Sequence, residues 1–183
     1  MIILTLVLLL SPLVGTLILM ILQNSSRESS SLVSNLSILS SFLLSVFTLY
    51  LFYSTNSVAI SSNVLTFAEI KLFSLYFGLY IDSLSLIMSV VVTSVSLLVH
   101  YYSISYMKDD KSFNRFFIYT NFFTFSMLMI VFSNNFFQLF IGWELVGLSS
   151  YLLIGFWIKK ESAIKANYKA FLVNRVGDVG LLL

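Results

Sequence analysis

Residues 136–157, FFQLFIGWELVGLSSYLLIGFW, constrain this chain more than any other part of it. The stretch is nearly unbroken apolar and aromatic sequence with one carboxylate, Glu144, inside it. As a helix rising ~1.5 Å per residue it is long enough to cross the ~30 Å hydrocarbon core of a bilayer. Glu144 would then sit ~20 Å from Trp157, far from either headgroup layer. A carboxylate at that depth costs at least ~2.5–3.5 kcal/mol to insert, so it must face protein or water and find a partner.

The rest of the chain fits a membrane protein. It is 58% hydrophobic and 10% charged, with mean hydropathy +0.97; soluble chains carry about 25% charged residues. A net charge of +2, confined to short loops, gives no nucleic acid a surface to bind. With no cysteine and a single histidine, His100, the chain can build neither an Fe–S ligand set nor a His-rich metal site, so no metal and no cofactor is expected in it. The N-terminus lacks a basic n-region and an A-x-A cleavage motif, and reads as a retained first span.

The apolar blocks predict an all-α polytopic membrane protein with six transmembrane helices and a short β-hairpin between the second and third. Residues 1–53 hold the first two spans, at 2–22 and 32–53, joined by the polar turn 23–31. Pro12 and Gly15 interrupt the first span; a membrane helix tolerates proline where neighbours satisfy the freed carbonyl. Residues 54–81 form the extra-membrane hairpin segment, aromatic and β-branched, with Glu69 and Lys71 two apart. Asp82 caps a third span within 82–102. The charged loop 104–115 leads to helices four to six within 116–183: spans 116–132 and 136–157, a basic connection at 158–165, and a last helix from about residue 163 or 166. Arg27, Lys108, Lys111, Arg115, Lys159, Lys160 and Lys165 occupy the first, third and fifth loops, whereas the opposite side holds only Lys71. The positive-inside rule therefore puts the odd loops in the cytoplasm or matrix, with the N-terminus and hairpin outside.

The sixth helix carries Lys169, Arg175 and Asp178. Arg175 and Asp178 are three residues apart and share a helix face. At ~18 and ~22 Å from residue 163, they bracket the depth of Glu144 on the preceding antiparallel helix. One cation between two acids can hold a proton, because moving the arginine changes which acid keeps it. Lys169 lies two turns nearer the basic side, like a way-station. The alternative is structural: buried ion pairs glue helices, and Gly142, Gly147, Ser149, Ser150, Gly177 and Gly180 would permit close packing in either case. Tyr151, one helical face along from Glu144, is a packing aromatic or a relay member. His100 is expected at the membrane interface with its tip among headgroups. Trp143 is expected to pack between helices.

At these residues a family likeness emerges. LYIDSLS (79–85), HYYSISYM (100–107), FIGWELVGLSSYLLIGFW (140–157) and KAFLVNRVGDVGLLL (169–183) closely resemble, in order and spacing, chain 5 of respiratory NADH:ubiquinone oxidoreductase, complex I. The resemblance implies an antiporter-like membrane-arm subunit built from inverted five-helix repeats. It implies that Glu144 is a proton-transfer carboxylate and that Arg175 and Asp178 belong to the same charged axis. Flavin, Fe–S clusters and ubiquinone would reside in other subunits. The family also uses a lysine on a broken seventh helix, which this chain does not reach. The resemblance covers only the family's first third, three leading helices and half of a repeat. Other membrane-arm subunits and a second polypeptide supplying the missing helices are therefore the expected partners, as for a split subunit. The expected location is the mitochondrial inner membrane, N-terminus and hairpin toward the intermembrane space, with a bacterial plasma membrane as the alternative. A multi-subunit cation/proton antiporter shares the motifs, and a purely structural assembly subunit is the third possibility.

Overall fold

The computed structural model describes residues 1–22, 26–70 and 73–182. Among these, six helices and one antiparallel hairpin follow in the order α1 (Ile2–Ile21), α2 (Arg27–Ser54), β1 (Ile60–Ile70), β2 (Phe73–Ile81), α3 (Ser83–Tyr106), α4 (Phe113–Val131), α5 (Phe136–Ile154) and α6 (Glu161–Leu182). The helix count and the hairpin match the sequence expectation. Four helices, α1, α2, α3 and α5, are long and apolar enough to cross a membrane on their own composition. The other two are α4, diluted by Asn114, Arg115 and Asn121, and α6, which carries five charged residues from Glu161 to Asp178. Their place beside the spanning helices is a matter of packing rather than of their own hydropathy.

Several boundaries move. The expected turn 23–31 is mostly helix: Ser26 caps α2, its hydroxyl accepting from the Ser29 amide, and residues 23–25 lie outside the described set. Serines followed by an acidic first turn favour helix initiation, and polarity had hidden this. The hairpin turn, with Lys71, also lies outside the described residues. Helix α3 runs on to Tyr106, α4 starts at Phe113, and α5 stops at Ile154, leaving Trp157 beyond it. Asp82 caps α3 as expected, in a reciprocal capping box with Ser85.

Helices α1 to α4 form the body of the molecule. Pro12 removes the hydrogen bond that the Leu8 carbonyl would otherwise accept within α1. The Ser41 hydroxyl of α2 (3.1 Å) and Ser11 (3.2 Å) donate to that carbonyl instead. Two apolar clusters close the bundle at its ends. Leu8, Leu86, Leu128 and Phe132 pack at the hairpin end, and Leu19, Met107, Phe117 and Phe156 at the other. Between them runs a layer of hydroxyl contacts, Ser11–Ser41, Ser45–Thr93 and Ser96–Thr124, that links neighbouring helices. Such bonds average ~0.6 kcal/mol each in membrane bundles, so they set register more than they add stability.

The three basic loops converge at one end. Arg27 donates to the Lys108 carbonyl, Trp157 to Asp110, and Arg115 to the Phe156 carbonyl. At the other end the hairpin seats on the α4–α5 turn. The Tyr80 amide donates to the Phe132 carbonyl (3.0 Å) and the Gly78 amide to Gln138 Oε1 (2.9 Å). Asn135 caps α5 through the Gln138 amide and also donates to the Tyr76 carbonyl.

Candidate functional site

Helix α6 touches the rest of the molecule almost solely along α5, and that seam holds the charged groups. Asparagine capping at Asn135 starts α5 so that Glu144 falls at mid-helix, and α6 folds back antiparallel after the short 155–160 connection. Arg175 Nη1 then donates to both Glu144 oxygens, at 2.7 and 2.9 Å. The same nitrogen lies 3.6 Å from Asp178 Oδ2. One guanidinium nitrogen thus bridges two carboxylates contributed by successive helices.

Asp178 has a second partner that sequence reasoning missed. The indole Nε1 of Trp143 donates to its Oδ1 at 3.1 Å. Trp143 is exposed rather than packed between helices, because its ring crosses the outer edge of the α5–α6 seam to reach Asp178. The available signal was an indole donor directly before the membrane carboxylate. Asp178 side-chain exposure is 10%, against 28% for Glu144 and 51% for Arg175. The triad is therefore shielded from within and open on one flank. A cavity of about 420 Å³ adjoins it, walled by Leu148, Tyr151, Phe171 and Asn174 with the three charged groups. Arg175 also sits 5.3 Å from the centre of the Phe171 ring, a favourable cation–π placement.

The supporting residues separate. Tyr151 lines the cavity but meets Phe171 edge-on, 5.7 Å between centres, as a packing aromatic. Lys169 is exposed and forms no ion pair among the described residues. His100 corrects the interfacial expectation: it is 1% exposed, inside the α1–α4 bundle, far in sequence and contact from the triad. Its Nδ1 donates to the Ser96 carbonyl at 2.7 Å and its ring meets Phe117. The imidazole is amphipathic, and the hydroxyl layer offered it a polar site that hydropathy could not reveal. Of the small residues, Gly142 packs tightly against Ile130 of α4, while Gly147, Gly177 and Gly180 face open space. The described residues contain no cluster of ligating side chains able to hold a metal.

A family model described as NADH-ubiquinone oxidoreductase (complex I), chain 5 N-terminus, matches residues 67–117. A second, described as NADH:quinone oxidoreductase/Mrp antiporter, TM, matches residues 133–183. NADH-quinone oxidoreductase subunit L of Neisseria meningitidis (serogroup A strain) is 47% identical over 180 residues, 97% of this chain. The chain belongs to the chain 5/subunit L family. NADH-ubiquinone oxidoreductase chain 5 of Marchantia polymorpha is 58% identical over 113 residues, 62% of this chain and 17% of that protein. The chain spans about 27% of the length of the Neisseria subunit L and so corresponds to a part of the family's fold. A chain of the membrane-bound sulfane sulfur reductase, an archaeal respiratory membrane complex, superposes with TM-score 0.79 over 96% of this chain and 34% of that one, at 16% identity. That likeness is one of fold. The triad lies within the segment matched by the antiporter model, and His100 within the chain 5 N-terminal match.

Proposed function

We propose that this chain forms the N-terminal part of a proton-translocating membrane-arm subunit of respiratory complex I, in which Glu144, Arg175 and Asp178 hold and pass on a proton. The observation that carries this is the single guanidinium nitrogen shared by two carboxylates, one from α5 and one from α6, beside a cavity. Displacing Arg175 from Glu144 toward Asp178 leaves Glu144 without its counter-charge, and a carboxylate in that state takes up a proton from the cavity. Return of the arginine expels it to an acceptor on the protein that covers this flank, while the cavity supplies the next proton. Asp178 is held meanwhile by Trp143, so it receives the guanidinium without moving. The step needs no metal and no nucleotide; flavin, Fe–S and ubiquinone chemistry belongs to other subunits of the complex.

The half-exposed Arg175 also points to partners. A guanidinium facing hydrocarbon is costly, so the open flank of α5 and α6 is covered by protein or water. Further helices of the subunit and neighbouring membrane-arm subunits fill that role. The chain 5 likeness favours the mitochondrial inner membrane, with the basic loops in the matrix and the hairpin toward the intermembrane space.

The test is Glu144→Gln in the assembled complex. The expected result is normal assembly and NADH oxidation at the redox arm, with fewer protons translocated per NADH in sealed membranes. Loss of assembly with unchanged translocation per assembled complex would support the structural assembly alternative. The antiporter model that matches residues 133–183 also favours a cation/proton antiporter subunit. That reading requires a native complex without a redox arm, which mass spectrometry of the purified assembly decides.

A further inference from the structure

A second cavity, of about 410 Å³, opens at the basic end between the start of α4, the end of α5 and the second turn of α6. Arg115 of α4 is its one charged lining residue. The guanidinium donates one hydrogen bond, from Nη2 to the Phe156 carbonyl at 3.3 Å, and lies 5.0 Å from the centre of the Phe156 ring. Its Nε is buried without an acceptor, and no carboxylate pairs with Arg115 among the described residues. A buried donor on a charged group is expensive to leave unmet, so the site calls for an acceptor. Tyr119 and Tyr168 line the same cavity, Tyr168 from its exposed rim, and no hydrogen bond to either hydroxyl is formed among the described residues. The remaining walls include apolar Ile158 and Ile164.

We infer that this cavity binds the phosphate of an anionic phospholipid from the leaflet on the basic side. Phosphate oxygens accept from the free Arg115 donors and from the two tyrosine hydroxyls, and a guanidinium matches a phosphate in geometry as well as charge. The level suits a headgroup, since Arg115 is in the first turn of α4 and Trp157 and Tyr168 mark the interface. The isoleucines give the acyl chains an apolar path out to the bilayer. Basic pockets between membrane helices on the cytoplasmic or matrix side take such headgroups by the same physics. The inference is independent of proton transfer at Glu144.

The experiment uses the assembled membrane complex reconstituted in phosphatidylcholine nanodiscs, with and without phosphatidylglycerol carrying a photoactivatable headgroup. Crosslinks to the peptide containing Ile164 and Tyr168 are expected with phosphatidylglycerol and not with an equally labelled phosphatidylcholine. Arg115→Gln should lower that crosslinking about tenfold, the equivalent of one charge-assisted hydrogen bond, while Lys111→Gln at the same end leaves it unchanged. Arg115→Lys, which keeps the charge, should retain an intermediate level and serves if the glutamine variant does not assemble. Competition by inorganic phosphate alone would reassign the site to free phosphate. Equal crosslinking by both lipids, or a signal indifferent to Arg115, would overturn the inference.

Discussion

At the level of single residues, the chemistry rests on how donors divide between two carboxylates. Glu144 takes both of its bonds from one nitrogen of Arg175, whereas Asp178 shares Arg175 but is anchored by Trp143. The asymmetry gives the indole a definite role. Trp143→Phe keeps an aromatic ring and removes only the Nε1 donor. It should cost about 1–3 kcal/mol of stability through the unmet Asp178 oxygen. It should also lower proton translocation without affecting assembly, measured as protons per NADH in sealed vesicles alongside a thermal melt. An unchanged ratio would mean that Asp178 needs no anchor. The charged triad was legible in the sequence because helix rise alone brings residues 144, 175 and 178 to one depth. Trp143 and His100 were not, because an amphipathic ring can satisfy itself at an interface, at a seam or in a polar core, and spacing does not choose among these.

Among the elements, the hairpin and α6 represent opposite ways of docking. The hairpin is fixed by backbone and amide bonds to the α4–α5 turn, above all the Gly78 amide on Gln138. Gln138→Ala leaves that amide buried and unpaired and should destabilise the hairpin seat by about 1–3 kcal/mol. Limited proteolysis should then cut between residues 60 and 81 faster than in the parent, while cleavage at the basic loops stays the same. The six segments were visible as apolar blocks, but their ends were not. Helix α2 begins five residues earlier than hydropathy suggests because Ser26 caps it and polar serines continue the helix, and α5 ends three residues earlier, at the Gly155 cap. Caps are local hydrogen-bond geometry, to which hydropathy is blind.

Across the whole molecule, the three basic loops meet at one end and the hairpin, N-terminus and α4–α5 turn at the other. The sequence has no cysteine, so an introduced one is its sole thiol, and labelling read on this chain alone tests sidedness. Ser61→Cys on the hairpin and Lys160→Cys in the α5–α6 connection, both exposed, should react with a membrane-impermeant maleimide from opposite faces of sealed membranes. Lys160→Cys should label on the matrix or cytoplasmic face. Labelling of both from one face would refute the six-crossing arrangement. Among the described residues, helix α6 packs almost solely along α5 and leaves most of its surface exposed.

The amino-acid sequence by itself determined the solvent, the number of helices, the polarity of the loops and the common level of Glu144, Arg175 and Asp178, since transfer energies and helix rise are additive along a chain. Only the tertiary structure decided which nitrogen bridges which oxygens, that an indole completes the set, and that the lone histidine is buried in a hydroxyl layer. Those outcomes depend on how helices rotate and approach one another, and rotation about a helix axis is fixed by packing between segments distant in sequence.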